Sequence, residues 1–120
     1  MNFEDFDIWK EGMRISLEIY RVLKHCKDFS LKDQMQRAAV SIPSNIAEGF
    51  ERQSNKEFMR FLFIAKGSCG ELRTQLYLAK ELNYIENADF EQLMKKCKLL
   101  SSKIQNLIKL RQSYEVKGKG

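Results

Sequence analysis

The chain has 120 residues, 43% of them hydrophobic and 31% charged, which is enough for one domain with a core of its own. Six glycines and a single proline leave few turn formers, so the composition favours helices joined by short loops. No apolar run approaches the roughly 20 residues of a membrane span, and the three cysteines form no Cys-x-x-Cys pair, so we expect a soluble, reduced, cytoplasmic protein without a zinc knuckle or disulfide framework.

Positive charge is concentrated toward the C-terminus. The formal net charge is +5, and from Lys95 onward Glu115 is the only acidic residue. The basic residues of that stretch are Lys95, Lys96, Lys98, Lys103, Lys109, Arg111, Lys117 and Lys119. Such a bias predicts an anionic partner such as RNA or DNA, although lysines that are merely solvated on an ordinary helix face would produce the same count.

The first helix is predicted from about residue 7 to residue 27. Apolar or small residues recur at helical spacing, and we place the following row in the bundle core: Trp9, Met13, Ser16, Tyr20 and Leu23. A second apolar row lies about 100° around the helix, at Ile8, Gly12, Ile15, Ile19, Val22 and Cys26. The apolar surface is thus wider than one partner helix requires, and helix 1 should touch two neighbours.

The second helix is predicted to start with Ser30 as its cap and to stop near Gly49. Its inward row comprises Leu31, Met35, Ala38, Ile42 and Ile46. Pro43 interrupts this row, because proline lacks a backbone donor and clashes with the carbonyl four residues earlier. We expect a kink at Pro43 rather than a split into two helices, with Ser41 and Ser44 bonding the freed backbone groups.

The third helix should begin after Ser54, which with Glu57 three residues later matches a capping box, and should run to about residue 82. Its core row is Phe58, Leu62, Ala65, Cys69, Leu72, Leu76 and Ala79. Gly67 and Gly70 extend a different row together with Phe63. Because each mid-helix glycine costs about 1 kcal/mol relative to alanine, we expect a close approach by another helix, with simple tolerance as the alternative.

The fourth helix should start with Asn87 as its cap and carry the core row Phe90, Leu93, Cys97, Leu100, Ile104 and Leu107. Lysines cover the opposite half of this helix, but Leu99 and Leu110 project into the middle of that half. The two leucines predict contact with another subunit, unless they are scattered surface leucines. We assign residues 1–112 to the bundle and 113–120 to a flexible, basic C-terminal tail.

The side chains of a catalytic or cofactor site are missing from these helices. The one histidine, His25, has Cys26 pointing about 100° away, and Val22 stands where a Glu-x-x-His iron site needs glutamate. No Gly-rich phosphate loop follows a strand. We therefore predict no enzyme, metal or cofactor, and expect the polar residues around Pro43 to form a supporting internal network, namely Arg37, Asn45 and Glu48.

One segment carries a specific signature: residues 37–49 read Arg-Ala-Ala-Val-Ser-Ile-Pro-Ser-Asn-Ile-Ala-Glu-Gly. It resembles the signature of bacterial four-helix-bundle proteins encoded within intervening sequences of 23S ribosomal RNA genes. The resemblance covers almost the whole chain up to about residue 108, although Gln36 stands where the family commonly has an arginine. The motif residues are Arg37, Pro43, Asn45, Glu48, Gly49, Ser54 and Glu57.

The resemblance implies long helices assembled into a ring, typically a homopentamer, without established enzymatic activity. Related proteins are the accessory proteins of diversity-generating retroelements, which are basic pentamers that bind nucleic acid and a reverse transcriptase. Taken with the helix pattern, the resemblance predicts an all-α, antiparallel up-down-up-down four-helix bundle, with helix 2 kinked at Pro43, that assembles into a homo-oligomeric ring.

Two functions remain open for such a bundle. The first is binding of RNA or other nucleic acid through phosphate contacts, with Lys95, Lys96, Lys98, Lys103, Lys109 and Arg111 as the candidate residues. The second is a protein-interaction scaffold or accessory subunit without nucleic-acid binding, in which positive charge serves solubility. Subunit contacts are predicted at Phe63, Gly67, Gly70, Leu99 and Leu110.

Overall fold

Four helices account for most of the computed structural model, which describes residues 1–119 and the side chains of residues 1–116. A short 3-10 turn at Phe3–Asp5 precedes helices α1 (Asp7–Val22), α2 (Phe29–Glu51), α3 (Asn55–Glu81) and α4 (Asn87–Lys119). No β-strand occurs in residues 1–119. The helices pack into a body of 54 × 22 × 20 Å in the compact manner of a four-helix bundle, so the predicted all-α class is confirmed.

Each helix packs against two others. Helix α1 contacts α2 and α4, and α3 also contacts α2 and α4, whereas α1 does not reach α3 and α2 does not reach α4 over the described part of the chain. The helices therefore stand at four corners in the order α1, α2, α3, α4, with α1 diagonally opposite α3. The expectation that helix 1 touches two neighbours is confirmed.

The core rows of α3 and α4 lie where the sequence predicts them. All seven predicted residues of α3, from Phe58 to Ala79, are buried, and on α4 only Leu107 is half-buried. The first predicted row of α1 is only partly buried, because Ser16 and Leu23 are covered while Met13 and Tyr20 are exposed. The second row is buried from Ile8 to Ile19. Both rows repeat with helical spacing, so only the positions of α2 and α4 decide how much of each is covered.

The end of α1 and the start of α2 differ from their predicted positions. Helix α1 ends at Val22, about five residues early. Helix α2 is capped by Asp28 instead of Ser30, because the Asp28 Oδ1 accepts a hydrogen bond from the Leu31 N–H at 3.1 Å. The other Asp28 oxygen accepts from the hydroxyl of Tyr84 at 3.0 Å, so one carboxylate joins the start of α2 to the connection between α3 and α4.

The connection before α3 is close to its prediction. Ser54 caps α3 as expected, since its Oγ accepts from the Glu57 N–H at 3.1 Å, but the Glu57 carboxylate pairs with Arg60 at 3.3 Å and does not close a capping box. Helix α2 ends at Glu51, close to the stop predicted near Gly49.

The connection between α3 and α4 is a tight turn. Asn83 takes a left-handed conformation with φ 61°, and the N–H groups of Asn83 and Tyr84 donate to the carbonyls of Lys80 and Ala79. That pattern terminates a helix while satisfying its last carbonyls. Asn87 already belongs to α4, so it is the first helical residue and not the predicted cap.

Helix α2 runs through Pro43 without splitting. The carbonyl of Ala39, which lacks its usual partner because proline has no N–H, accepts a hydrogen bond at 3.0 Å from the Ser16 hydroxyl of α1. Ser41, expected to serve this role with Ser44, instead bonds to Ser68 of α3 at 2.8 Å. The proline defect of α2 is thus satisfied by a neighbouring helix.

Helix α4 continues past the expected boundary at residue 112. Residues 113–119 belong to the same helix, so the predicted change of backbone structure at 113 does not occur. The flexibility of this basic segment stays a prediction, and Gly120 lies outside the described residues.

Candidate interaction surfaces

Ion pairs join α4 to α1 along the flank of α4 that faces α1. Lys96 Nζ lies 2.8 Å from a Glu18 oxygen, and Lys103 Nζ lies 2.8 Å from Asp7 and 2.9 Å from Glu11. The hydrogen bond from Lys103 lowers the pKa of Asp7, and the bonds to Asp7 and Glu11 raise the pKa of Lys103. Two of the six candidate phosphate ligands, Lys96 and Lys103, are therefore already neutralised by carboxylates of α1.

The opposite flank of α4 carries unpaired lysines. Because successive helical residues are 100° apart, Lys98 lies about 200° around from Lys96, on the side of α3. Lys95, Lys98 and Lys109 are exposed, and none forms an ion pair within the part of the chain that the structure describes. They span about 21 Å of helix at 1.5 Å per residue.

Helix α3 adds two basic residues to this side. Burial raises the pKa of the Cys97 thiol of α4, and the nearby charge of half-buried Arg73 partly opposes this rise, which places Arg73 at the α3–α4 contact. Lys66 lies seven residues, or two turns, before Arg73 and shares its face of α3. We name the set Lys66, Arg73, Lys95, Lys98 and Lys109 the basic face. Lys66 and Arg73 were not predicted as part of a basic surface, although their two-turn spacing was a usable signal.

Arg111 anchors α4 to α3. Its guanidinium lies 4.8 Å from the Phe58 ring and 5.5 Å from the Tyr114 ring, a cation–π arrangement. The side-chain amide of Asn55, at the start of α3, donates to the Arg111 carbonyl at 2.9 Å and to Glu115 at 3.0 Å. These contacts hold Arg111 in the junction between the helices, away from the row of unpaired lysines.

The expected polar network around Pro43 does not form. Arg37 is exposed and pairs with Asp33 at 2.8 Å, and Glu48 is exposed and pairs with Arg52 at 2.7 Å. Asn45 donates to the Oγ of Ser41 within α2, and Ser41 in turn bonds to Ser68 of α3. The prediction failed because Arg37 and Glu48 lie about 80° and 60° around α2 from Asn45, where their side chains are exposed to solvent.

Gly49 is required by packing. An added Cβ would lie 2.7 Å from the Cβ of Phe61 and 3.0 Å from the Phe58 ring. Gly12 is similar, because its Cβ would meet Pro43 at 3.2 Å. These two glycines mark the close approaches inside the bundle.

Gly67 and Gly70 face open space. No atom lies within 4 Å of a Cβ added at either position, so the predicted close approach by another helix does not occur within this chain. Large apolar side chains stand on both sides of these glycines. The exposed residues of what we call the α3 outer face are Phe63, Ile64, Gly67, Gly70, Tyr77, Leu78 and Leu82. Leu99 and Leu110, also about half exposed, lie on α4 and not on this face.

A second apolar surface lies between α1 and α2. It is a groove of about 340 Å³ above Pro43, and Leu17 on its rim is 67% exposed. The residues of this α1–α2 groove are Trp9, Met13, Ser16, Leu17, Tyr20, Val40, Pro43, Ser44 and Ala47. The groove was not predicted, because Trp9, Met13 and Tyr20 were expected in the core.

Groups suited to catalysis are dispersed. His25 is exposed in the turn after α1, while burial raises the pKa of Cys69 to about 11 and that of Cys97 to about 12. Residues 1–119 hold no cluster of three or more His, Cys, Asp or Glu side chains that would bind a metal. Over the same stretch, no helix is both long and apolar enough to cross a membrane.

Sequence and structure comparisons identify the family. The family model described as 23S rRNA-intervening sequence protein matches residues 4–106. The chain belongs to this family. The resemblance carried by the 37–49 signature is thereby confirmed over most of the chain. No functionally curated protein matches the sequence.

The fold of this 23S rRNA-intervening sequence protein is also found in a solved structure. A crystal structure at 1.70 Å resolution of a protein of unknown function from the S23 ribosomal protein family of Bacteroides thetaiotaomicron superposes with a TM-score of 0.80 at 24% sequence identity. The alignment covers 85% of this chain and 98% of that one. The likeness establishes a shared fold.

Proposed function

We propose that this 23S rRNA-intervening sequence protein is a non-enzymatic, homo-oligomeric bundle that binds RNA or other nucleic acid through phosphate contacts on its basic face. The observation that carries the proposal is the division of the α4 lysines. Lys96 and Lys103 pair with carboxylates of α1, whereas Lys95, Lys98 and Lys109 extend unpaired along the other flank. Lysines that only keep a protein soluble have no need to lie on one flank.

Assembly strengthens the electrostatic argument. One subunit carries a net charge of +5, so the homopentamer that the family resemblance implies would carry about +25, with a correspondingly larger attraction for a polyanion. Phosphate contacts of this kind carry no sequence information by themselves. The proposed ligand is therefore a structured RNA or other nucleic acid recognised by charge and shape.

We also propose that the helices are antiparallel, that α2 bends at Pro43 and that the protein is cytoplasmic. The ion pairs between α1 and α4 join Asp7 to Lys103 near one end and Arg21 to Asp89 near the other, which supports an antiparallel arrangement. The loss of a backbone bond at Pro43 supports a bend in α2 at that point. We place the protein in the cytoplasm because its three cysteines are unbridged.

A salt titration tests nucleic-acid binding. We expect the wild-type protein to bind a structured RNA with an affinity that falls steeply as salt rises. The variant Lys95→Gln/Lys98→Gln/Lys109→Gln should bind more weakly, and the slope of log affinity against log salt should shrink by about 2 to 3 because three phosphate contacts are lost. Fluorescence anisotropy with a labelled RNA measures both quantities.

The matched control removes three lysines from the α1–α2 connection and the first turns of α2. The variant Lys24→Gln/Lys27→Gln/Lys32→Gln has the same net charge as the basic-face variant and should keep most of the wild-type slope. Equal slopes for the two variants, or no wild-type affinity at low ionic strength, would contradict the proposal.

A protein-interaction scaffold is the second candidate function. It is favoured by the α3 outer face and the α1–α2 groove, two exposed apolar surfaces larger than isolated surface leucines would make. In this case the lysines serve solubility. An oligomeric protein that fails to bind nucleic acid at any salt concentration would favour the scaffold.

A further inference from the structure

Two exposed apolar surfaces point in opposite directions from the bundle. Helices α1 and α3 stand at diagonal corners without close backbone contact, so the side of α1 bearing Met13 and Leu17 faces away from the side of α3 bearing Gly67. Each surface brings several exposed apolar side chains together, whereas ordinary surface apolar residues are scattered singly. No segment of residues 1–119 covers either one.

We propose that the α1–α2 groove of one copy receives the α3 outer face of a second copy, so that identical chains associate head to tail. The inference rests on the homo-oligomeric part of the proposed function and assigns its contact surfaces. An interface between two different surfaces is heterologous, and repeating it leads to a closed ring when the rotation closes.

The two surfaces have shapes that fit each other. On the α3 outer face, Gly67 and Gly70 form a shallow area without side chains. Along the helix, Phe63 precedes this area and Leu78 follows it. Leu17 is the most exposed apolar side chain of α1 and can project into the space above those glycines. Two helices approach closely where one presents glycine, which gives Gly67 and Gly70 the close neighbour that they lack within the chain.

The charges beside the two surfaces are also complementary. Lys10 is exposed on α1 and forms no ion pair within the described residues, since Asp7, a carboxylate near it, bonds to Lys103. Glu71 and Glu81 are exposed on α3 and likewise have no ion-pair partner in that part of the chain. Opposite charge favours contact of the α1 side with the α3 side, and like charge disfavours contact of either side with itself.

A mixing experiment tests the head-to-tail contact. The groove variant is Met13→Glu/Leu17→Glu, and the α3 variant is Gly67→Leu/Gly70→Leu. All four positions are exposed, so both variants should fold, which circular dichroism and urea unfolding will verify. Light scattering should give a multiple of 14.1 kDa for the wild type and the mass of a single chain for each variant alone.

An equimolar mixture of the two variants is the decisive sample. The intact α3 outer face of the groove variant can enter the intact groove of the α3 variant, but neither chain can extend the contact further. We therefore expect a one-to-one dimer from two monomers. A mixture that stays monomeric, or a single variant that keeps the wild-type mass, would overturn the inference.

A control and a rescue separate this inference from the proposed function. Phe29→Gln, which removes an exposed aromatic ring from the start of α2, lies on neither surface and should keep the wild-type mass. Lys10→Glu and Glu71→Arg should each reduce assembly, and their combination should restore it. A wild-type monomer would overturn the inference together with the assembly claim, whereas an oligomer insensitive to these variants would overturn the inference alone. Nucleic-acid binding is judged separately by its salt dependence.

Discussion

Ser16 shows how a single side chain makes a proline tolerable in the middle of a helix. Its hydroxyl lies 2.9 Å from the carbonyl of Gly12 in its own helix and 3.0 Å from that of Ala39 in α2. The second carbonyl is the one that Pro43 leaves without an N–H partner. Gly12 lies directly against the Pro43 ring, so these residues form one contact unit between α1 and α2.

We expect Ser16→Ala to lower the free energy of unfolding by about 1–3 kcal/mol, because the buried carbonyl of Ala39 then has no donor. In the Pro43→Ala background, residue 43 regains an N–H for that carbonyl, so the loss caused by Ser16→Ala should be smaller. Urea unfolding of the wild type, both single variants and the double variant measures this coupling.

The control for this set of variants is Ser102→Ala on the exposed side of α4. It should change the free energy of unfolding by less than about 0.5 kcal/mol. Strict additivity of Ser16→Ala and Pro43→Ala would show that the hydroxyl does not substitute for the missing N–H of the proline.

At the scale of elements, the contact of α1 with α4 differs from the other helix contacts. Ion pairs run along its flank, and they involve Lys96, Lys103 and Arg21. Exposed ion pairs contribute little each, but Lys103 joins two carboxylates and links two helices. This contact should therefore be the part of the bundle most sensitive to pH.

The sign of the pH effect follows from the two pKa shifts. The pKa of Asp7 is lowered below its usual 3.8 in the folded state, so its stabilising effect is present above 3.8 and is lost as pH falls through the folded value. The pKa of Lys103 is raised above 10.5, so its effect is present below 10.5 and is lost as pH rises through the folded value. Between these limits the pair is fully charged.

We expect Lys103→Met to melt at a lower temperature than the wild type at neutral pH, with the difference shrinking below pH 3.8 as Asp7 becomes protonated. Lys109→Met is the matched control, since Lys109 has no carboxylate partner in the described chain. Melting curves across pH that run parallel for the wild type and Lys103→Met would contradict this account.

At the scale of the whole molecule, two thiols report on the integrity of the bundle. Cys69 and Cys97 are fully buried in the core, and burial raises their pKa values to about 11 and 12. Cys26 is half-buried in the connection between α1 and α2. Since the thiolate is the reactive form, the three thiols should differ widely in reactivity.

We expect a thiol reagent at pH 8 to modify Cys26 rapidly and to modify Cys69 and Cys97 only as the bundle opens. The slow phase should accelerate with added urea, and Cys26→Ser should remove the fast phase. Following the reaction by absorbance measures both phases. Rapid modification of all three thiols in the native protein would show that the core between α3 and α4 is not closed.

Much of the bundle was predictable because its information is local. The core rows of α3 and α4 follow from one dominant apolar stripe on each helix, and Ser54 caps α3 through a hydrogen bond within three residues. The α4 lysines were placed correctly on the outer half of the helix. Their division into paired and unpaired sets was not predictable, because Lys96 finds Glu18 78 positions away along the chain.

The sequence by itself determined four helices, most of the core and the family. The tertiary structure decided how much of each apolar row of α1 is covered, which glycines are packed and which lysines keep their charge exposed. Adjacent rows on a helix are only 100° apart and have the same period, so local pattern cannot choose between them. The neighbouring helices make that choice, and here they leave Leu17 and Gly67 exposed on opposite sides of the bundle.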